Sequence, residues 1–393
     1  MGRTKPSSGL PPAAFRKDAR AKKAKATINK VIPALLSAHP RAREGINRSE
    51  LITPDLLPPR PLKPAPTRPG PDTPARNPPV PRITLRITDT LTAAHSLLRI
   101  ATPPARRPAR YLGLDLDLTN RRARVAILNM ASPLCPGGGF LRGAASQEES
   151  LCMRTTLLPA LRDAFYRLPE LGAVYTPDVL VFRAAGEGGG EGGGGGGGGD
   201  DGGEGHGDGG GGGGELAKRD RWFVDCVSAA MLRLPEVEVD EDGRAKAYAS
   251  GKDRVLVRRK MELVMRVFQA KGAKRVVLGA WGCGAYGNPV GEVAAAWREV
   301  LLGSKRGAKA DAGAGWEGIE EIVFAIKDAS LAERFAEAFG DGLVREQEEG
   351  DAAPENEEEE EDPETARVKA LQDKTKETEL SAEQAKSPQL ICG

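Results

Sequence analysis

The 393-residue chain is poor in cysteine, histidine and aromatic side chains. Its five cysteines (Cys135, Cys152, Cys226, Cys283 and Cys392) are odd in number, scattered and never spaced C-x-x-C, so neither a disulfide framework nor a zinc site is indicated. Thiols left reduced fit an intracellular compartment, cytoplasmic or nuclear. The three histidines, His39, His95 and His206, do not cluster, and nothing in the pattern asks for a metal or a cofactor. No apolar run approaches the ~18 residues of a membrane span. The opening MGRTKPSSGLPP lacks the apolar centre of a secretory signal. With 39% hydrophobic and 5% aromatic residues, the chain has too few apolar side chains to pack along its whole length, which predicts unfolded stretches beside a folded domain.

What is abundant is unevenly placed. Residues 1–110 hold 22 Lys and Arg against 6 Asp and Glu, and residues 346–364 hold 12 acidic groups and no base, so the formal net charge of +2 conceals two opposed ends. A basic, helix-prone stretch spans 13–38, with Ile28, Val31, Ile32, Leu35 and Leu36 on one face. Its cluster of Arg20, Lys22, Lys23 and Lys25 suits a polyanion contact, a nuclear address or a solvated helix face. Residues 53–82 are proline-rich, as in an extended linker. Of 49 glycines, 22 fall in 186–214, which reads as a flexible, disordered surface insertion. The expected division is a basic helical segment and linker (1–82), a folded domain (83–345) interrupted by that insertion, and an acidic disordered tail (346–393).

Strands and helices alternate across the folded part. Strands are predicted at 83–87, 124–130, 173–183, 222–228, 276–281 and 319–326. Helices are predicted at 88–98 with a cap near Asp89, from Gln147 to about Leu168 with a kink at Pro159, and at 252–271, 289–302 and 331–339. Such alternation argues a layered α/β domain on a parallel or mixed sheet.

Two glycine turns interrupt the pattern where strands give way to helices. The first follows the buried-type run Val125 to Leu128: Asn129, a loop holding Gly137, Gly138 and Gly139, then Ser146-Gln147-Glu148-Glu149, a Ser-x-x-Glu helix start. Glycines there let a backbone approach a ligand, and a helix N-terminus attracts anions. The second is Gly282-Cys283-Gly284-Ala285-Tyr286-Gly287-Asn288-Pro289, with Asn288 read as the N-cap and Pro289 as the first helical residue. It forms a further anion cradle of the kind that holds a diphosphate. It also matches G-x-G-x-x-G, but it lies on a late strand with no acidic partner placed for a ribose, which argues against a redox dinucleotide.

Three glycines, seven residues and Gln147-Glu148-Glu149, inside LNMASPLCPGGGFLRGAASQEESLCMRT, resemble the signature of microbial-type poly(ADP-ribose) glycohydrolases. VLGAWGCGAYGNP resembles that family's diphosphate loop, and residues 13–58 resemble the N-terminal extension of fungal-type relatives. The resemblance covers roughly 83–183 and 220–340. It implies a three-layer α/β/α macrodomain-like fold with a mixed sheet, and hydrolysis of ribose–ribose O-glycosidic bonds with release of ADP-ribose. It assigns the acid and base work to Glu149 and sugar orientation to Glu148. Gln147 supports the loop, Asn129 contacts a ribose, and Gly137, Gly138 and Gly139 line the terminal ribose and diphosphate. In the second turn Gly282, Gly284, Ala285 and Gly287 line the diphosphate, and the aromatic ring of Tyr286 packs on the terminal ribose. The implied partners are poly(ADP-ribose) or ADP-ribosylated proteins, met by a monomer, with no metal, cofactor or membrane.

Each residue also has a plainer reading. Glu149 alone is a capping-box glutamate, Glu148 a solvated charge at a helix end, the glycines a tight turn, and the cysteines small buried or loop thiols. A helix N-terminus favours an ionised carboxylate, whereas a general acid must first carry a proton, so burial and the paired Glu148 have to oppose the helix end. Two other functions compete: a macrodomain that holds ADP-ribose without cutting it, and a polyanion scaffold built on the basic segment. Only the scaffold should depend on residues 1–82 for its function.

Overall fold

The structure is a computed structural model that describes residues 13–59, 81–100, 125–185, 214–241, 243–303 and 315–346. The proline-rich linker from residue 60, the insertion through residue 213 and the acidic tail beyond 346 lie outside the described residues.

An eight-stranded sheet runs in the order β1-β4-β5-β3-β8-β9-β2-β10. Its strands are β1 (Glu50–Ile52), β2 (Arg82–Arg86), β3 (Val125–Met130), β4 (Ala173–Val181), β5 (Trp222–Ala229), β8 (Arg275–Leu278), β9 (Glu321–Ala325) and β10 (Val344–Arg345). From β5 to β10 every pairing is parallel, while β4 pairs antiparallel with β5 and β1 antiparallel with β4. The sheet is therefore mixed, as expected. Period-two alternation divides it into two faces. Ala126, Leu128, Val276, Leu278, Ile322 and Phe324 pack with α6 (Gly251–Ala270), α7 (Val290–Leu302) and α8 (Ala329–Phe339). Val125, Ile127, Val224, Val277 and Val323 pack on the opposite face with α4 (Thr90–Ile100) and Leu151 of α5 (Gln147–Arg154). The three layers follow from that alternation. A small hairpin of β6 (Val237–Val239) and β7 (Ala245–Tyr248) stands apart from the sheet.

The caps follow local chemistry. Asp89 accepts from the amides of Leu91 and Thr92 at the start of α4, and Ser250 accepts from Lys252 N at the start of α6. The helix predicted from Gln147 to Leu168 stops at Arg154. Thr155 and Thr156 turn to the sheet instead: Thr155 bridges Val181, and Leu180 N donates to Thr156 Oγ1 at 3.0 Å. Two short 3-10 turns, at Leu158–Ala160 and Asp163–Phe165, replace the rest. Pro177 sits inside β4 because the ladder shifts register between Thr176 and Val179, and a bulge releases the amide that proline lacks. Asp178 in that bulge has φ 53° and is clasped by Arg41 and Arg48, each within 2.6 Å of a carboxylate oxygen.

The expected boundary at residue 82 does not coincide with the edge of the folded unit. β1 extends the sheet, and α1 (Ala13–Ala26), a five-residue π turn, α2 (Ile32–Ala38) and α3 (Pro40–Asn47) precede it. On α1, Ala24 is buried against Phe140 and Cys152, and Arg20 Nε donates to Gly143 O at 2.8 Å. Just beyond α1, Thr27 Oγ1 accepts from Arg183 Nη1 at 2.8 Å. Gly143, at φ 79°, lies so close to the Lys17 carbonyl that a Cβ would collide with it. Deleting residues 1–31 is therefore expected to lower the melting temperature by roughly 5 °C, since it uncovers Phe140 and removes one of the partners of Arg183. An unchanged melting curve would show that this segment does not brace the domain.

Candidate active site

The two glycine turns leave adjacent parallel strands. β3 and β8 are neighbours, and both turns emerge at their carboxyl ends, the usual ligand side of such sheets. Gly279 lies against the Met130 side chain, where a Cβ would collide with it. The Tyr286 side chain lies near Ser132 and Glu148, and burial raises its pKa above the usual phenol value. The two turns thus come together where Tyr286 approaches Ser132.

Both carboxylates at the start of α5 are buried, Glu148 at 3% and Glu149 at 7% exposure. Glu149 Oε1 accepts from Gly139 N at 2.7 Å, and Oε2 accepts from the Ser146 hydroxyl. Ser146 is the N-cap residue by position, but its side chain accepts from no helix amide. The capping-box reading of Glu149 is therefore half right, because the glutamate meets the Ser146 side chain while its other oxygen reaches back to the glycine loop. Glu148 Oε2 accepts from Ser132 N at 2.8 Å, and Oε1 lies 3.4 Å from Asn129 Nδ2. Gly138, at φ 54°, is where the two side chains converge: a Cβ there would stand 2.8 Å from Glu149 Oε1 and 3.0 Å from Glu148 Oε2. The amides of Gly139 and Gly137 turn towards the carboxylates, so in this structure the loop holds the acid pair.

Burial lifts the Glu148 carboxyl to about 8; the Ser132 amide opposes the rise and the charge of Glu149 adds to it. The Glu148 side chain therefore keeps its proton at neutral pH. Between its unfolded value near 4.5 and about 8, the unfolded chain releases a proton that the folded site retains, so the folded state loses stability as pH rises through that window. Glu148→Gln, which imitates the neutral acid, should raise stability at pH 8 by at least about 1 kcal/mol and change little at pH 4.5. Thermal melts at both pH values check this, and equal shifts at the two would contradict it.

Supporting contacts hold the frame. Gln147 ties α5 to the end of β3, accepting from Met130 N at 2.9 Å and donating to Leu128 O at 2.8 Å. It supports the strand end more than the glycine loop. Asn129 is fully buried and donates to Ser228 Oγ at 3.0 Å. Asn288 does not cap α7, because Pro289 occupies the N-cap position and helix starts at Val290. Its amide instead closes the second turn, donating to Gly282 O at 2.9 Å and Leu232 O at 2.8 Å while Oδ1 accepts from Tyr248. Gly282, at φ 81°, packs against Asn288 and Met231, and Gly284 and Ala285 are exposed at the tip with open space beside Gly284. Cys152 and Cys283 are held as thiols by burial, the latter pushed up to about 12, and Cys135 is exposed on the first loop. Ser132, Ser228 and Tyr248 escape the sequence reading, since isolated hydroxyls at irregular spacing give no signal before the loops are folded.

The structure superposes on the X-ray structure of poly(ADP-ribose) glycohydrolase from Thermomonospora curvata with a TM-score of 0.51 and 23% identity, over 83% of this chain and 98% of that one. The structure of the Thermomonospora curvata enzyme bound to the inhibitor ADP-HPD gives the same TM-score and coverage at 22% identity. These likenesses show the fold, a macrodomain-like three-layer domain. No curated protein matches the chain. Residues 67–184, which contain β3, the first glycine turn and both carboxylates, match the family model of the microbial-type PARG, catalytic domain.

Proposed function

We propose that the chain is a poly(ADP-ribose) glycohydrolase that cuts ribose–ribose O-glycosidic bonds and releases ADP-ribose. The observation that carries the reading is the convergence of Glu148 and Glu149 at Gly138, beside a second glycine turn whose Tyr286 lies near Ser132 and Glu148. Leaving-group departure from a ribosyl carbon builds oxocarbenium character, and it needs a proton on the departing oxygen and a water at the anomeric carbon. Glu149 supplies the proton as the C–O bond breaks, then takes a proton from the attacking water, which restores its starting state. Glu148, neutral and hydrogen-bonded to the Ser132 amide, orients the ribose by donating to a sugar oxygen. Asn129 and the ring of Tyr286 contact ribose, with Gln147 holding the helix start. The diphosphate lies along Gly282, Gly284, Ala285 and Gly287, and the terminal ribose rests over Gly137, Gly138 and Gly139. The protein acts as an intracellular monomer, with its basic N-terminal segment near the polymer.

Incubating the purified protein with poly(ADP-ribose) and identifying the products tests this directly. Free ADP-ribose is expected. Tight binding of ADP-ribose with no product over long incubation would replace the enzyme with a non-hydrolytic binding domain.

A further inference from the structure

We propose that the exposed face of α1 is a docking rail for the phosphates of the polymer that trails from the site, a reading that rests on the glycohydrolase function above. The helix carries Arg16, Lys17, Arg20, Lys22, Lys23 and Lys25 against one acid, Asp18. Such a density of one sign is a cost to an isolated helix, because like charges one turn apart repel. Its placement gives the charge a use. α1 lies along the outer side of the first glycine turn: Ala24 packs on Phe140, Arg20 donates to Gly143 O, and the Lys17 backbone abuts Gly143. Gly143 is four residues from Gly139, whose amide holds Glu149.

One side of α1 is therefore fixed to the wall of the site, and the other faces solvent with Lys22 and Lys25, followed by Lys30 in the π turn, all exposed. Lys22 pairs with Asp18 at 2.8 Å, but both side chains are more than half exposed, and an ion pair of that kind is too weak to withhold the ammonium from a stronger anion. A site that encloses one ADP-ribosyl unit must let the rest of the chain leave across its rim. Every further repeat of that chain brings a diphosphate. Cations fixed beside the rim would bind those phosphates with release of counterions, and the gain would grow with polymer length and fall with salt. They would add nothing for a substrate too short to reach them.

The test uses the full chain with Glu149→Gln, so that polymer is held and not consumed, with and without Lys22→Gln, Lys25→Gln and Lys30→Gln. Binding of long poly(ADP-ribose) and of the two-unit dimer is measured from 50 to 200 mM salt. The triple change should weaken long polymer roughly tenfold and reduce the slope of log affinity against log salt by about 2, at ~0.7 per lost phosphate contact. Dimer binding should be unchanged. Unaltered long-polymer binding would leave these lysines as solvated charge and overturn the rail, and equal losses on polymer and dimer would overturn it as well, by placing the effect in the loop. Release of ADP-ribose by the protein with Glu149 intact is scored separately. If none appears while the length-dependent binding does, the glycohydrolase reading fails and the rail stands.

Discussion

Glu149→Gln should cut the release of ADP-ribose from poly(ADP-ribose) by about 10³-fold, within the range that loss of one positioned acid–base group produces. Binding of ADP-ribose should stay within about twofold, since the amide preserves the contacts that place the side chain. Its oxygen still accepts from Gly139 N, and its nitrogen can donate to the Ser146 hydroxyl in place of the bond Ser146 now gives. The substitution therefore removes the exchangeable proton and little else. Three measurements on one variant separate the possibilities: product release, ADP-ribose affinity and the melting temperature. Full turnover would remove Glu149 from the mechanism. Loss of both turnover and affinity, with an unchanged melt, would make it a binding group, and the chemistry would pass to Glu148, the side chain that stores a proton in the free site.

Much of this site was legible before any coordinates, and the parts that were not have a common cause. Glycine turns at strand ends and a Ser-x-x-Glu helix start are local patterns, and β3, α5 and both turns fall where such patterns put them. Asn288 shows the limit. Capping and loop closure want the same residue type at nearly the same place, and only the fold reveals that its amide reaches Gly282, Leu232 and Tyr248. Thr155 and Thr156 end α5 early through contacts with β4, a partner some 25 residues away that no helical period can announce. The basic segment shows the same limit. Its apolar face, Ile28 to Leu36, is read from the sequence, but which surface it covers is not: Ile32 and Leu35 meet Leu180 and Phe182, and Ala24 meets Phe140, across the chain. The proton on Glu148 is likewise a product of burial, which residue type alone does not encode.

Gly138→Ala should lower turnover by at least ~10²-fold, because it attacks the geometry on which both carboxylates depend. Two penalties coincide at this position. The backbone sits at φ 54°, where an L side chain costs about 1–2 kcal/mol. The new methyl would lie 2.8 Å from Glu149 Oε1 and 3.0 Å from Glu148 Oε2, closer than either oxygen tolerates. Neither carboxylate is a loose end that can swing aside: Oε1 of Glu149 is held by the Gly139 amide at 2.7 Å and Oε2 of Glu148 by the Ser132 amide at 2.8 Å. Relief has to come from breaking one of those bonds or moving the loop, and a displacement of about 1 Å at reacting groups is enough for the stated loss. The melting temperature should fall by a few degrees at the same time, as it would for any strained turn. Strain alone is separated from misplacement by Gly284→Ala in the second turn. That position has nothing within 4 Å of an added Cβ and a backbone that alanine accepts. Its variant should melt like the parent, yet bind ADP-ribose more weakly if the diphosphate approaches the backbone there, with kcat little changed. A Gly138→Ala protein that turns over at the parental rate would mean that the two carboxylates need not meet at this glycine, and the mechanism built on their convergence would fall with it.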